Sequence, residues 1–376
     1  MSFMLVINIL AVAFSLIAAY TLLGYEKINR CWKWLLAAVL FACWRAPAVI
    51  GYVRRHALLE GDLFSILSYV GYGFFGVGFI LFCLLIGRDA IWFSGYGLAK
   101  LLHRANARFS PMNNAALHRA NMAVLLLTLL LSVFSLYQGM KISSLHEEII
   151  YTPKVSREVT IVQVNDLHID RSKPLSWLQK TVEKINALQP DAVVMVGDII
   201  DDNIARLGKA TELLRQVQSK NGVWFVAGNH ELYNGLPSIE KKIREIGYRY
   251  LSKNGENVGD LPVYIAGLPD VWMGAESAVG LAEGKEDFYK ILLVHNPKYA
   301  AQNLRQGFDL QLSGHTHGGQ IFPLHILTLI ANNFLAGRYE LENGLLYISR
   351  GVGFWGPPMR LLAPSDITVI RLRPQI

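Results

Sequence analysis

The sequence predicts an N-terminal bundle of membrane-spanning helices followed by an α/β domain. Of the 376 residues, 52% are hydrophobic and only 17% are charged, whereas soluble domains contain about 25% charged residues. The apolar surplus lies before residue 140. Beyond it, short β-branched runs alternate with helical stretches. We therefore predict a four-helix transmembrane region at residues 1–140, a polar linker at 141–157 and a second domain at 158–376.

Four apolar stretches approach the length of about 20 residues that a bilayer requires. They are residues 4–24, 34–53, 63–87 and 122–140. The first has neither a basic segment before it nor a small-residue cleavage site, which indicates an anchor rather than a signal peptide. The second contains Arg45 and Pro47. Buried core helices are the alternative interpretation of these stretches.

Basic residues predict how the spans are oriented. The loops after the first and third spans hold eight of them: Lys27, Arg30, Lys33, Arg88, Lys100, Arg104, Arg108 and Arg119. The opposite side holds five: Arg54, Arg55, Lys141, Lys154 and Arg157. Because cytoplasmic loops carry an excess of Lys and Arg, we expect loops 25–33 and 88–120 in the cytoplasm and the second domain outside it.

The net charge of +7 does not predict a nucleic-acid-binding protein. Residues 1–150 contain 12 Lys or Arg against 6 Asp or Glu, and residues 151–376 contain 24 against 23. The positive excess thus belongs to the membrane part, and a basic face on the second domain is not supported. The three cysteines, Cys31, Cys43 and Cys83, lie in the apolar half and show no metal or disulfide spacing.

The second domain has the pattern of a layered α/β fold. Strands are predicted at residues 159–164, 192–196, 223–227, 263–266, 291–294 and 310–312, and helices at 175–188 and 204–219. Two further strands, 339–342 and 345–349, flank Asn343-Gly344, which predicts a hairpin with a type I′ turn.

Five polar blocks each follow a predicted strand. They are Asp166-x-His168, Gly197-Asp198-x-x-Asp201, Gly228-Asn229-His230-Glu231, His295-Asn296 and Gly314-His315-x-His317. Ligands gather at the carboxyl ends of strands, so we expect these side chains to converge. In Asp-x-His, alternate residues of an extended chain face one side and can meet one ion. Carboxylates and imidazoles without thiolates fit manganese, iron or zinc. One such block alone is more often a cap or turn.

These motifs resemble those of the calcineurin-like metallophosphoesterases over residues 158–373. The strings GHTHGGQ at 314–320 and GVGFWGPPMR at 351–360 resemble a membrane-associated bacterial branch, some members of which are related to UDP-diacylglucosamine pyrophosphohydrolases. The resemblance implies an α/β/β/α sandwich, a hydrolase activity and a place in a bacterial inner membrane. Two departures are Asn165, where Ser or Thr is common, and Glu231, where Asp is commoner.

The resemblance also implies roles for individual residues. One divalent cation, manganese first and iron or zinc as alternatives, would be held by Asp166, His168 and His317. A second would be held by Asn229, His295 and His315, with Asp198 bridging the two. A hydroxide between the cations would attack phosphorus.

Three more residues of these blocks receive roles from the resemblance. His230 would not be a ligand; it would stabilise charge on the phosphate or protonate the leaving oxygen. Asp201 and Glu231 would orient the imidazoles.

Substrate contacts are expected near the C-terminus. Arg338, Arg350 and Arg360 either grip a phosphate or form surface ion pairs. The apolar residues 321–335, with Phe354 and Trp355, form either buried core or a wall for acyl chains or the bilayer.

We therefore predict a membrane-anchored hydrolase of a phosphoester or pyrophosphate in a lipid-linked substrate, with no nucleic-acid partner. One alternative is a phosphodiesterase of soluble nucleotides or their conjugates. Another is a non-catalytic membrane scaffold or receptor, against which the intact ligand set and His230 argue. The sequence does not indicate the oligomeric state.

Overall fold

A computed structural model describes residues 3–23, 29–101, 114–270 and 277–375. The chain divides into two compact units. A helical unit extends to Tyr137 and includes Gly356–Met359, and an α/β unit comprises Gln138–Trp355 with the C-terminal segment from Arg360.

The described part of the helical unit consists of long apolar helices. These are α1 (Phe3–Leu23), α2 (Arg30–His56), α3 (Gly61–Leu101) and α4 (Asn114–Met140). By length and composition α2, α3 and residues 115–140 of α4 can cross a membrane, whereas the shorter apolar stretch of α1 is Ala11–Leu23. The predicted first span, 4–24, lies partly outside the residues whose side chains are described and stays a prediction. Of the predicted loop 88–120, residues 88–101 continue α3, and 102–113 lie outside the described residues.

The α/β unit contains two six-stranded sheets. Its strands are β1 (Ser144–Thr152), β2 (Val159–Val164), β3 (Ala192–Val196), β4 (Val223–Val226), β5 (Arg249–Tyr250), β6 (Asn254–Asn257), β7 (Val263–Leu268), β8 (Tyr289–Val294), β9 (Leu310–Ser313), β10 (Gly337–Leu341), β11 (Gly344–Ile348) and β12 (Asp366–Pro374). Its helices are α5 (Leu175–Asn186), α6 (Gly208–Leu214), α7 (Asn229–Asn234), α8 (Leu236–Glu245), α9 (Ala300–Leu304) and α10 (Leu324–Asn332). The strand orders are β1-β12-β2-β3-β4-β5 and β10-β11-β9-β8-β7-β6.

The two sheets pack face to face with helices outside them. Neighbouring residues of a strand point to opposite faces. In β4, Trp224 therefore enters the core between the sheets with Ile291, while Phe225 packs against Ile239 of α8 in the outer layer. Leu304 of α9 packs on the outer face of the second sheet. The predicted helical region followed by an α/β/β/α sandwich is confirmed.

The predicted linker at 141–157 is wrong in its middle part. Residues Ser144–Thr152 form β1, an edge strand paired in parallel with β12. Only Ile150 and Thr152 of this strand are buried. Because most of the strand is not buried, its sequence resembles that of a polar linker. Its partner strand lies more than 200 residues away in the chain. Pairing at that separation gives no recognisable signal in the local sequence.

Two further elements differ from their predictions. The predicted helix at 204–219 is a 3₁₀ turn (Ile204–Arg206) followed by α6. The hairpin β10–β11 is confirmed, but Leu341 pairs with Gly344, so the loop is Glu342-Asn343. Neither loop residue has a positive φ, and a type I′ turn requires it at both. The prediction of a type I′ turn is therefore wrong.

Candidate metal centre

The five polar blocks lie at the carboxyl ends of five strands. In the first sheet, β2, β3 and β4 are parallel neighbours, and Asp166, Asp198 and Asn229 each follow one of them within three residues. In the second sheet, β8 and β9 are parallel neighbours and are followed by His295 and His315. The expected convergence is confirmed, because the carboxyl ends of these strands lie at one edge of the sandwich.

The backbone at these blocks is turned rather than extended. Five candidate ligands adopt a positive φ of 47–69°: Asp166, His168, Asp198, His315 and His317. Such a conformation is uncommon for residues other than glycine, and strained residues cluster at functional sites. The expectation that Asp-x-His and His-x-His act through an extended chain was therefore wrong. Left-handed turns after the strands bring these side chains together.

One group of ligand atoms is formed by Asp166, His168 and His317, which are all buried. His168 Nε2 lies 2.9 Å from His317 Nε2, and Asp166 Oδ1 lies 3.5 Å from His317 Nε2. Two imidazole nitrogens at this distance need a proton or a cation between them. Burial, with His168 and Arg360 nearby, lowers the pKa of His317 well below its usual value, so its imidazole is neutral and suited to a metal.

A second group is formed by Asp198, His295 and His315. His295 Nδ1 lies 2.7 Å from the Val196 carbonyl oxygen, which requires its proton there and leaves Nε2 directed at Asp198 Oδ2, 3.0 Å away. His315 Nδ1 lies 2.9 Å from Asn229 Oδ1. Asp198 Oδ2 is also 4.0 Å from His168 Nε2, so this carboxylate lies between the two groups.

The chemistry of these atoms fits cations. Asp166 Oδ1 is buried and has no hydrogen-bond partner among the described residues, which is costly for a polar atom in a protein interior. Burial raises the pKa of Asp166, and a cation would offset that cost. Burial and the neighbouring His295 lower the pKa of His315 to about 4, so this imidazole is neutral as a ligand must be.

Asp201 joins two imidazoles, as predicted. Its Oδ1 lies 3.0 Å from His168 Nδ1 and 2.5 Å from His230 Nδ1. Burial opposes a charge on His230, but the carboxylates of Asp201 and Asp198 outweigh it and raise its pKa to about 9. His230 Nε2 lies 3.9 Å from Asp198 Oδ2, and His168, Asp198 and His230 form a third group of atoms close enough to hold an ion.

Glu231 does not orient an imidazole, and that prediction is corrected. Its carboxylate accepts hydrogen bonds of 2.8–2.9 Å from the backbone N–H groups of Asp198, Ile199, Ile200 and Gly228. It therefore joins the loop after β3 to the loop after β4. This close approach also explains Gly228, because a Cβ there would meet Asp198 Oδ1 at 2.3 Å.

The three C-terminal arginines have different environments. Arg338 forms surface ion pairs with Glu148 and Glu340. Arg350 Nη1 lies 3.6 Å from Asp366 and is partly exposed.

Arg360 is 1% exposed. It donates to backbone carbonyl groups, including those of Gly353, His317 and Ala363, and its Nη2 lies 3.3 Å from Nδ1 of the candidate ligand His317. The prediction that Arg360 grips a substrate phosphate is therefore wrong, because its guanidinium instead holds together the loops around the site.

Two exposed aromatic rings border His230. Trp355 is 57% exposed, and its ring centroid lies 6.0 Å from that of His230. Tyr233 lies at 5.4 Å and was missed by the sequence analysis, although its place one helical turn after His230 was a usable signal. Phe354 points elsewhere, with the Lys173 ammonium 3.2 Å from its ring centroid.

The apolar segment 321–335 is not core. Most of it forms α10, in which Ile326, Leu327, Leu329 and Ile330 are exposed. The interpretation as buried core was therefore wrong.

Known proteins resemble this chain in sequence. The family described as calcineurin-like phosphoesterase matches residues 159–319. An uncharacterized metallophosphoesterase of Campylobacter jejuni is 30% identical over 90% of this chain and 89% of its own. One from Helicobacter pylori is 32% identical over 64% of this chain and 66% of its own. A transmembrane protein with a metallophosphoesterase domain from Danio rerio is 29% identical over 88% and 80%, respectively.

Proposed function

Because this chain belongs to the calcineurin-like metallophosphoesterase family, and is thus a phosphoester hydrolase, we propose that it works at a membrane with two divalent cations on a lipid-linked phosphoester or pyrophosphate. One observation carries the metal part of the proposal. Asp166, His168 and His317 form one group of ligand atoms and Asp198, His295 and His315 form another, each close enough to hold one ion, and Asp166 Oδ1 has no hydrogen-bond partner among the described residues. Manganese is our first expectation, with iron or zinc as alternatives.

In this proposal the seven candidate ligands divide between two cations. Asp166, His168 and His317 would hold the first, and Asn229, His295 and His315 would hold the second. Asp198 would serve both. When bound, the cations supply a water of lowered pKa and positive charge at the reacting phosphate.

His230 supplies the proton in this scheme. Asp201 accepts the Nδ1–H and keeps the ring charged. The Nε2–H then faces the phosphate, where it stabilises developing charge and protonates the leaving oxygen.

Metal content and activity together test these roles. Asp198→Ala removes the shared carboxylate, so we expect it to lose both cations and all activity. His230→Ala should keep both cations and lose activity by at least about 100-fold, as is usual for a positioned proton donor. Elemental analysis of the purified variants, with hydrolysis of bis(p-nitrophenyl) phosphate, distinguishes the two. A cation missing from His230→Ala would make His230 a ligand and contradict the scheme.

The lipid-linked substrate is supported by two features. Three helices within the described residues can cross a membrane, and the relative from Danio rerio is named as a transmembrane protein. Beside His230, the exposed ring of Trp355 offers an apolar surface next to the proposed reacting phosphate. Burying an acyl chain on such a surface contributes about 25 cal/mol per Å².

Trp355→Ala tests the substrate class. We expect kcat/KM on a phospholipid substrate to fall by about 10-fold, from the lost apolar contact, with bis(p-nitrophenyl) phosphate unaffected. Phe354→Ala is the neighbouring comparison, because its ring faces Lys173 and should not affect substrate choice. No loss on the lipid would favour a soluble nucleotide substrate, and equal losses on both substrates would indicate a damaged site.

A further inference from the structure

Exposed apolar residues of the α/β unit lie on α10 and on segments bonded to the loops of the metal centre. Four exposed apolar residues of α10 are Ile326, Leu327, Leu329 and Ile330. At 100° per residue they cover an arc of roughly 160° on one side of the helix. Residues 321–337 contain no Asp, Glu, Lys or Arg. A short helix with so broad an uncharged and exposed face is unusual on a water-facing surface.

Neighbouring segments continue this surface toward His230. Leu362, which is 69% exposed, follows Leu361, and Leu361 pairs with Ile321 just before α10. Gln320 hydrogen-bonds the backbone N–H and carbonyl of Trp355 through its side chain. Trp355 in turn lies against His230. The exposed residues from α10 through Leu362 to Trp355 are called the apolar surface below.

The same segment is held at both ends by the loop that carries His315 and His317. At its start, a Cβ on Gly319 would meet the backbone of His325 at 2.5 Å, so the first turn of α10 lies directly on this loop. At its end, the Thr316 hydroxyl donates a 2.6 Å hydrogen bond to the Leu335 carbonyl. The helix therefore cannot shift far without moving the loop of two candidate ligands.

We propose that α10 inserts into the lipid surface and brings the apolar surface, and with it the metal centre, to the bilayer. The end of α4 supports lipid as the partner of this surface. α4 can cross a membrane and ends at Met140, and β1 begins at Ser144. The four residue steps from Met140 to Ser144 span about 14 Å at most, so β1 begins close to the end of a helix that can cross a membrane. Short amphipathic helices bind there by burying their apolar face at the headgroup boundary.

This inference deepens the proposed function, since it states how a lipid phosphate would reach the metal centre. The experiment measures contact with lipid rather than hydrolysis, so the insertion of α10 and the proposed function can fail independently. The full chain, with Cys31, Cys43 and Cys83 changed to alanine, receives a single cysteine by Ile330→Cys and an environment-sensitive NBD label. It is reconstituted into vesicles of phosphatidylethanolamine and phosphatidylglycerol, with and without acyl-chain spin labels. A far-UV circular dichroism spectrum unchanged from that of the unmodified protein shows that the labelled chain is folded.

We expect the label at position 330 to be quenched at least about 2-fold by the spin-labelled lipid. Leu327→Cys, on the same face, should behave alike. Val279→Cys is the matched control, because Val279 is an apolar residue of the same unit that is 66% exposed and lies outside the apolar surface. Its label should stay in water and unquenched.

Three outcomes would overturn the proposal. A water-like, unquenched label at 330 would mean that α10 does not insert. Equal quenching at 330 and 279 would mean that lipid contact is not specific to α10. A label at 330 that is shielded but unquenched would assign the face to a protein, either a second copy or another chain.

Discussion

At the scale of single residues, the contact between Asp201 and His230 should set the alkaline limit of activity. The proton donor is the charged form of His230, whose pKa is raised to about 9, so activity falls as pH rises through that pKa. Bound cations would lower it, and the limit is expected at or below about pH 9. Asp201→Asn removes the negative charge that raises the pKa, so the limit should move to lower pH by about one unit or more.

A pH profile of kcat measures this shift. Asp202→Asn is the matched control, because Asp202 is the adjacent buried carboxylate and pairs with Arg171 rather than with an imidazole. Its profile should keep the alkaline limit of the unmodified protein. If Asp201→Asn left the limit in place, His230 would not be the titrating donor.

At the scale of elements, Arg88 should stabilise the helical unit and Arg45 should not. Arg88 hydrogen-bonds the side chain of Asn121 and donates to the Thr21 carbonyl at 3.0 Å, and Asn121 donates to Leu22. It thereby joins α1, α3 and α4. Within the described residues, Arg45 Nη1 is buried in α2 and has no hydrogen-bond partner.

Arg88→Ala should therefore destabilise the helical unit by about 1–2 kcal/mol. Arg45→Leu should leave its stability unchanged or raise it, because a charge within a span is costly. Thermal unfolding of the two variants in detergent, followed by intrinsic fluorescence, gives the comparison. A lower melting temperature for Arg45→Leu would reveal a partner of that guanidinium.

At the scale of the whole molecule, the side of the membrane remains a prediction from charge. Eight Lys or Arg follow the first and third predicted spans, against five opposite, and favour an α/β unit outside the cytoplasm. Of the eight, Arg88 and Lys100 lie in α3 and Arg119 lies in α4. In a chain without its native cysteines, Lys241→Cys on the exposed side of α8 should react with a membrane-impermeant maleimide in intact spheroplasts. Labelling that appears only after lysis would place the unit in the cytoplasm.

The sequence by itself determined which residues meet at the metal centre. Asp166, Asp198, Asn229, His295 and His315 each follow an apolar strand. Parallel neighbours place their carboxyl ends at one edge, so strand pattern and chain order were enough to predict the convergence. Apolar length likewise predicted four spans, and the described residues contain three helices long and apolar enough to cross a membrane.

Only the tertiary structure decided how those residues are held and what surrounds them. The left-handed turns at the ligands, the pairing of β1 with β12 and the burial of Arg360 among carbonyl groups depend on contacts between distant segments. Composition likewise could not tell whether α10 is core or surface, because an apolar helix reads the same when it is covered by protein and when it faces out. Burial is a property of what packs against a segment, and that is set by the fold as a whole.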